Sequence, residues 1–280
     1  MRILIFGNGW LGNRCAQVWS GSRHRVFVST RRIKTTDDIS TEIEKYAPDV
    51  VLNAAGIVGK PNVDWCEDHQ LETFVGNVRL PMMIASVCKT KNIYMLHIGT
   101  GCIYYGYKDG GWKPEEPANP IAVYTKMKYA ADLALSTLPN VGIARIRMPI
   151  DSRPHPGNLI DKLISFEKVV DVENSVTVVE DMVYAFERLL EGRHEGIFHV
   201  VNPGTLKTRD LIEMYETFVD ATHKNEWITA DELQELGLAK KTRSNNVLNT
   251  DSLKELGIEM TEVNSAVERA IIEYANYKMI

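Results

Sequence analysis

Tyr124 and Lys128, four apart in "YTKMK", have the residue types and spacing for proton transfer. On a helix that spacing puts both side chains on one face. A phenol titrating near about 10 is a poor acid–base group at neutral pH, and a cation one turn away favours its phenolate. Upstream, the apolar run "IYMLHI" ends in "GTGCIY", which supplies a hydroxyl at Thr100 and a thiol at Cys102. The hydroxyl can polarise a carbonyl. The thiol, ordinarily titrating near about 8.5, can exchange carbon-bound protons close to neutrality, or it can be a buried strand-end packing residue. Y-x-x-x-K alone is common by chance.

The first dozen residues add a second chemistry. "GNGWLG" places Gly7, Gly9 and Gly12 as G-x-G-x-x-G directly after a strand and at the start of a helix. Glycines there permit a tight turn and close approach of backbone to a pyrophosphate, whose charge sits on the helix N-terminus. Further on, where NAD-binding chains carry a ribose-binding carboxylate, the sequence reads "VSTRRIK", with Thr30, Arg31 and Arg32 and no acid. Guanidinium forks suit a 2′-phosphate, so NADPH is the expected cofactor; two solvated surface arginines are the alternative. Its expected contacts are Gly7, Gly9, Trp10, Leu11 and Gly12, then Thr30, Arg31, Arg32, Asp38 and Ile39. Ala54, Ala55 and Gly56 of "NAAG" follow, with Tyr124 and Lys128, whose amine can also reach the nicotinamide ribose.

Strand and helix alternate through the first half. "RILIF" leads to a helix over about 10–19, then "RVFVST"; "DVVLNAAG" is a continuous apolar run ended by glycine, as in a strand buried on both faces. A helix is expected from Asp64 or Glu67 to Lys89, another from Ala122 to Thr137, and "VGIARIRM" is the next strand. That rhythm predicts an α/β fold, a Rossmann-type doubly wound parallel sheet. After Met148 it breaks: "LIDKLISFEK" reads as an amphipathic helix, and the stretch from Ser175 to Gly204 as strand, helix and strand returning to the sheet. Residues 1–148 with about 175–202 are thus the expected NADPH-binding domain, and about 149–174 with 203–280 a small C-terminal substrate-binding cap over the carboxyl ends of the strands.

Composition sets outer bounds. The chain has 280 residues, 44% apolar and 25% charged, with net charge −5, which argues against nucleic-acid and acidic-membrane partners. Cys15, Cys66, Cys88 and Cys102 form no C-x-x-C pair and no metal-ligand spacing, so no metal is expected. Cys15 and Cys88 read as buried small hydrophobes. An immediate first strand and the lack of a long apolar run lead to the expectation of a reduced, cytoplasmic protein.

The glycine loop, "NAAG" and a strand ending in Thr100 ahead of Tyr124 together resemble the extended short-chain dehydrogenase/reductases. "NAAGIVGKPNVDWCE", "GTGCIY", "RMPI", "FEKVVDVENSVTVVEDM", "VNPG" and "RSNN" narrow this. They resemble the reductases that make nucleotide-activated L-rhamnose, in particular the plant-type bifunctional UDP-4-keto-6-deoxyglucose 3,5-epimerase/4-reductases. The glycine loop is one residue shorter than that family's G-x-x-G-x-x-G. Where related 4,6-dehydratases carry Asp-Glu after the threonine, this chain has Gly101 and Cys102, which removes that chemistry.

The resemblance implies that Thr100 and Tyr124 hydrogen-bond O4 of a 4-keto sugar. It implies that Cys102 exchanges the C3 and C5 protons with Lys162, the lysine of "N-x-I-x-K", in which Asn158 also contacts substrate. His155 in "RPHPGN" is a rival for the second proton carrier. Arg243 is expected on a substrate phosphate, Asn77 is the family's helix asparagine, and Asp64 and Glu67 either cap a helix start or lie near the sugar. The implied activity is NADPH-dependent epimerisation and reduction to UDP- or dTDP-β-L-rhamnose, on substrate from an upstream 4,6-dehydratase. A homodimer through the helices over about 67–89 and 122–137 is expected by the same likeness. A GDP-fucose synthase-like enzyme, a plain dTDP-4-dehydrorhamnose reductase and a non-catalytic regulatory subunit of this fold remain as alternatives.

Overall fold

The computed structural model describes residues 1–278. Two compact units divide them: Met1–Ile103 with Pro120–Arg145 and Phe186–Phe198, and Tyr104–Asn119 with Ile146–Ala185 and the chain from His199 on.

The first unit is built on a six-stranded sheet. Its strands are β1 (Arg2–Phe6), β2 (Arg25–Ser29), β3 (Val50–Asn53), β4 (Tyr94–Thr100), β5 (Val141–Ile146) and, last in the chain, Gly196–His199. The order across the sheet is Gly196–His199, β5, β4, β3, β1, β2. β1 pairs in parallel with β2 and β3, and β3 with β4, in the register Ile5↔Val28, Ile5↔Leu52 and Leu52↔Leu96. Continuous apolar strands are what such a sheet requires, because helices cover both faces. Leu4, Phe6, Val51, Met95 and Ile143 form one core with Ile39, Ile84 and Leu135 from the helices. Winding reverses between β1 and β3, so the loops after them part at the carboxyl edge, where such sheets bind ligands.

Helix α1 (Trp10–Ser20) opens directly after the glycine loop, and α2 (Thr36–Tyr46) is closed at its start by a Thr35–Asp38 capping box. The single helix expected up to Lys89 is instead broken. Trp65–Asp68 ends at His69, whose ring stacks on Trp65 at 3.8 Å and whose Nδ1 bonds the Trp65 carbonyl. Gln70–Phe74 follows, then a wide π turn at Val75–Arg79, then Leu80–Thr90. Pro81 has no N–H for the carbonyl four residues back, and the turn before it is wound wider.

The second unit holds short two-stranded ladders: Pro149–Ile150 with Thr177–Val178, Glu173–Asn174 with Leu206–Lys207, and Lys168–Val170 with Glu226–Ile228. Helices Leu159–Ser165, Thr208–Phe218 and Val263–Lys278 pack a core of Ile150, Ile160, Val178, Leu211, Ile271 and Tyr274. Two sequence expectations change here. The strand near Ser175 pairs with Pro149–Ile150 rather than joining the large sheet, whereas Gly196–His199 does join it. The helix expected through Lys168 stops at Ser165, because Phe166 turns extended and Lys168–Val170 becomes a strand. Among the described residues no helix is long and apolar enough to cross a membrane.

Candidate active site

β4 delivers Thr100 to the carboxyl edge of the sheet, and the chain turns at once through Gly101–Ile103. That turn points the Cys102 N–H at Thr100 Oγ1, 3.2 Å away. The Thr100 side chain acts on the Tyr124 phenol and opposes the rise that burial imposes on it. Helix Val123–Leu135 carries Tyr124, Lys128 and Asp132 one turn apart on one face. Lys128 is buried; its Nζ donates to the Ile98 carbonyl at 2.7 Å and lies 3.0 Å from His97 Nε2. Asp132 is held by Arg145, Nε to Oδ2 at 2.8 Å, with both side chains buried.

Burial governs the electrostatics. It takes the Lys128 amine down to about 8, more than the nearby Asp132 charge restores. It pushes the Tyr124 phenol well above its ordinary range, with Cys102, Cys66 and Asp132 adding and Thr100 opposing. Lys128 therefore does not draw the phenol down as the spacing suggested. The pair rests as a protonated phenol beside a weakly basic amine, which suits a proton donor. Cys102 is partly open, whereas Cys15, Cys66 and Cys88 are buried and their thiols pushed up, Cys88 to about 12. Of these thiols, Cys102 is the one placed for chemistry.

Glu67 has a role the sequence did not show. Its Oε1 accepts the Val123 N–H at 2.8 Å, so it caps the helix of Tyr124 rather than its own, and Ala122 supplies no side-chain cap there. A carboxylate at a helix N-terminus is worth about 0.3–1 kcal/mol. Asp64, at the start of Trp65–Asp68, makes no capping bond. Asn77 clamps the loop after β3, accepting from Ile57 N–H at 2.9 Å and donating to its carbonyl at 2.7 Å.

The glycine loop fits a pyrophosphate. Gly9 is the N-cap of α1, no side chain caps that helix, and its first turn has no acid. A Cβ on Gly9 would meet nothing within 4 Å, while one on Gly7 would lie 2.5 Å from Ala54 and one on Gly12 2.1 Å from the Gly7 carbonyl. Gly7 also has φ +106°. Two glycines hold the turn closed and one faces open space before bare helix amides, which suits an anion. Trp10 and Leu11 form the first turn behind Gly9, and Ala54, Ala55 and Gly56 lead away from β3.

At the end of β2 the arrangement departs from a bare basic patch. Thr30 and Arg32 are exposed, but Arg31 is held by Asp38 and by Glu42, each at 3.3 Å. Asp38 already accepts from Lys34 and Thr35 N–H, and Glu42 from Ser29. Ile39 is fully buried in the core, so its side chain cannot line a cofactor as expected. Glu42 had gone unnoticed.

In the second unit Asn158 is also corrected. It is fully buried, and all four of its hydrogen-bonding positions are filled by backbone: Asp151 and Ile160 N–H, and Asp151 and Arg153 carbonyls. It anchors the start of Leu159–Ser165 and has nothing left for a substrate. Lys162 is exposed on that helix. His155, half-buried beside it, accepts the Gly157 N–H at Nδ1 and is held below its ordinary range by burial. Arg243 is half-buried and leads into Ser244–Asn246, which bonds the Tyr104 carbonyl and the buried Arg147 of "RMPI". Much of "RSNN" is thus a structural network.

A doubly wound sheet, a glycine loop at a bare helix start and a Tyr–Lys pair beside a strand-end threonine define an extended short-chain dehydrogenase/reductase. The chain belongs to the family of the RmlD substrate binding domain, whose model matches residues 1–276. It is 31% identical to the bifunctional dTDP-4-dehydrorhamnose 3,5-epimerase/dTDP-4-dehydrorhamnose reductase of Arabidopsis thaliana, over 97% of this chain and 92% of that one. A trifunctional UDP-glucose 4,6-dehydratase/UDP-4-keto-6-deoxy-D-glucose 3,5-epimerase/UDP-4-keto-L-rhamnose-reductase of the same plant is 30% identical, and this chain spans 42% of its length. Among solved structures, the UDP-rhamnose synthase of Acanthamoeba polyphaga mimivirus superposes with TM-score 0.91 at 25% identity, over 98% of this chain and 99% of that one. The dTDP-4-dehydrorhamnose reductase of Bacillus anthracis in complex with NADP shares the fold, with TM-score 0.82 at 18% identity over 97% and 99%.

Proposed function

We propose that this protein is a bifunctional 3,5-epimerase/4-reductase. It takes a UDP- or dTDP-linked 4-keto-6-deoxy-D-glucose, the product of a 4,6-dehydratase, to the β-L-rhamnose nucleotide with NADPH. The observation that carries this is a strand-end Thr100 acting on the protonated Tyr124 phenol, with the partly open Cys102 thiol two residues after it. It stands in a chain similar over nearly its whole length to a protein named for both activities.

The first unit is the cofactor half. Gly9 with Trp10 and Leu11 would hold the pyrophosphate, Arg31 with Arg32 the 2′-phosphate, and Lys128 the nicotinamide ribose. Bound there, NADPH supplies the hydride that the ketone carbon receives. The second unit is the substrate half, where Arg243 would take a phosphate of the nucleotide.

In a 4-keto sugar the C3 and C5 protons are both α to the ketone. Inverting those centres means removing each proton on one face and returning it on the other, through an enolate at O4. Thr100 and Tyr124 hydrogen-bond that oxygen and stabilise its developing charge. Cys102 carries protons on one face, and Lys162 serves the other, with His155 as the competing group. Tyr124 then gives its proton to O4 as the ketone is reduced. The protein works in the cytoplasm as a homodimer, to which Leu71, Phe74, Val75 and Leu133 offer exposed apolar surface on the two helical stretches concerned.

The test follows deuterium entering C3 and C5 of the 4-keto sugar from heavy water with NADPH withheld. Wild type and Tyr124→Phe should both take up label, and Cys102→Ser should lose about 10²-fold or more in rate. Exchange in Cys102→Ser as fast as in wild type means the thiol only packs, and a plain reductase remains.

A further inference from the structure

His97 lies in β4 with no exposure to solvent, and none of the roles above uses it. Each ring nitrogen meets one side chain. Nδ1 is 2.9 Å from Asn53 Nδ2, and Nε2 is 3.0 Å from Lys128 Nζ. Both partners are ordinarily donors, but a neutral imidazole has a single acceptor nitrogen. Asn53 is fixed from its other side, because its Oδ1 accepts the Ala55 N–H at 3.1 Å. Turning that amide round would set two donors against each other at Ala55. Asn53 therefore donates to Nδ1, the ring proton sits on Nε2, and that N–H points at Lys128. Flipping the ring instead would put carbon against both partners and forfeit both bonds.

An ammonium at Lys128 would then oppose N–H to N–H in a buried site. A neutral amine accepts with its lone pair and still donates to the Ile98 carbonyl at 2.7 Å. We propose that His97 is a positioning residue which, locked as its Nε2–H tautomer by Asn53 while Lys128 is neutral, donates to that amine and weakens its hold on a proton in the cofactor-free protein.

The other charged group acting on Lys128 is Asp132, one turn on along its helix and paired to Arg145 of β5; Tyr124 stands one turn back. Asp132 favours the ammonium, but burial outweighs it. Loading a proton from solvent onto Nζ requires the ring to exchange Nε2–H for Nδ1–H and the Asn53 amide to turn. That turn releases the Ala55 N–H. The charge on Lys128 and the hydrogen bonding of the loop after β3 thus change together. For the ketone reduction proposed above, on which only this consequence rests, the neutral amine leaves Tyr124 its proton to give.

The experiment is a long-range 1H–15N correlation of the histidine rings in the 15N-labelled, cofactor-free full chain at about pH 9.5, above the titration of Lys128 near 8. His97 is identified by the signals lost in His97→Leu, or in His97→Asn should the leucine variant not fold. A bare Nδ1 with a protonated Nε2 is expected; an Nδ1–H tautomer or an imidazolium overturns the proposal. Following Lys128 by its 13Cε shift, the folded variant should protonate at a pH about one unit higher, a tenfold change in affinity for the proton. No change there also overturns it. If both come out as stated while no ketone is reduced, the proposed reaction fails and this arrangement stands.

Discussion

Replacing the glycines of the first loop one at a time separates cradle from scaffold. The Gly9 backbone, φ −77° and ψ −173°, is one that alanine adopts freely, and its Cβ would meet nothing within 4 Å. Alanine at an N-cap costs about 0.5–1 kcal/mol relative to better caps, and the stiffer unfolded chain returns about 0.4–1 kcal/mol. The melting temperature of Gly9→Ala should therefore hold within about 2 °C. The same methyl would stand in the open space before the helix amides. Losing one charge-assisted contact to the pyrophosphate is worth about 1.5–3 kcal/mol, or roughly 10- to 100-fold in NADPH affinity.

Gly12→Ala behaves in the opposite way. Its Cβ would fall 2.1 Å from the Gly7 carbonyl oxygen, so backbone must move. Overpacking of that kind costs about 1–3 kcal/mol or more, and each kcal/mol lowers the melting point by about 2–4 °C. Cofactor titration by fluorescence, beside a thermal melt of each variant, reads both quantities. Wild-type NADPH affinity in Gly9→Ala would refute the cradle, and a wild-type melt in Gly12→Ala would refute the steric argument.

Arg31→Ser should weaken NADPH by about tenfold and leave NADH unchanged, because it removes one guanidinium from the 2′-phosphate; equal losses for both cofactors in kcat/KM contradict this. Lys128 titrates near 8 when folded against 10.5 when free. Between those values the unfolded chain binds more protons, so its contribution makes stability rise with pH through that window. Denaturant titrations at its two ends should show wild type gaining on Lys128→Met, and a relative loss there reverses the assignment. Light scattering at micromolar concentration should give a dimer, with Leu71→Lys and Leu133→Lys together giving monomer; a monomeric wild type removes the proposed pairing.

The parts legible in sequence were those written locally. β1 and β3 were legible as unbroken apolar runs, the helix over Tyr124 and Lys128 by its spacing, and the loop before α1 by its glycines. The break at His69 was not, because it goes with a ring stacking on Trp65, nor was the wide turn at Val75–Arg79 that precedes Pro81. Asn158 was misjudged because its four partners are backbone groups, invisible to any pattern of side chains. Arg31 was legible as a basic residue after β2, yet its holder Glu42 comes from the middle of α2, eleven residues on. His97 did leave a signal: it is the one residue in "IYMLHI" whose side chain titrates near neutrality, and a buried polar group in such a strand needs partners.

The bond from Val123 to Glu67 has a consequence for recombination between related chains. The helix bearing Tyr124 and Lys128 takes its cap from a segment 56 positions away in sequence. A crossover anywhere between the two inherits the helix from one parent and its cap from the other. Such a chimaera keeps every motif by which the site would be recognised, and still loses a charge-assisted bond at the turn that aims the phenol. Parents carrying a carboxylate at the position of Glu67 are interchangeable across this stretch. Parents lacking one must donate the block from Trp65 to Leu135 whole.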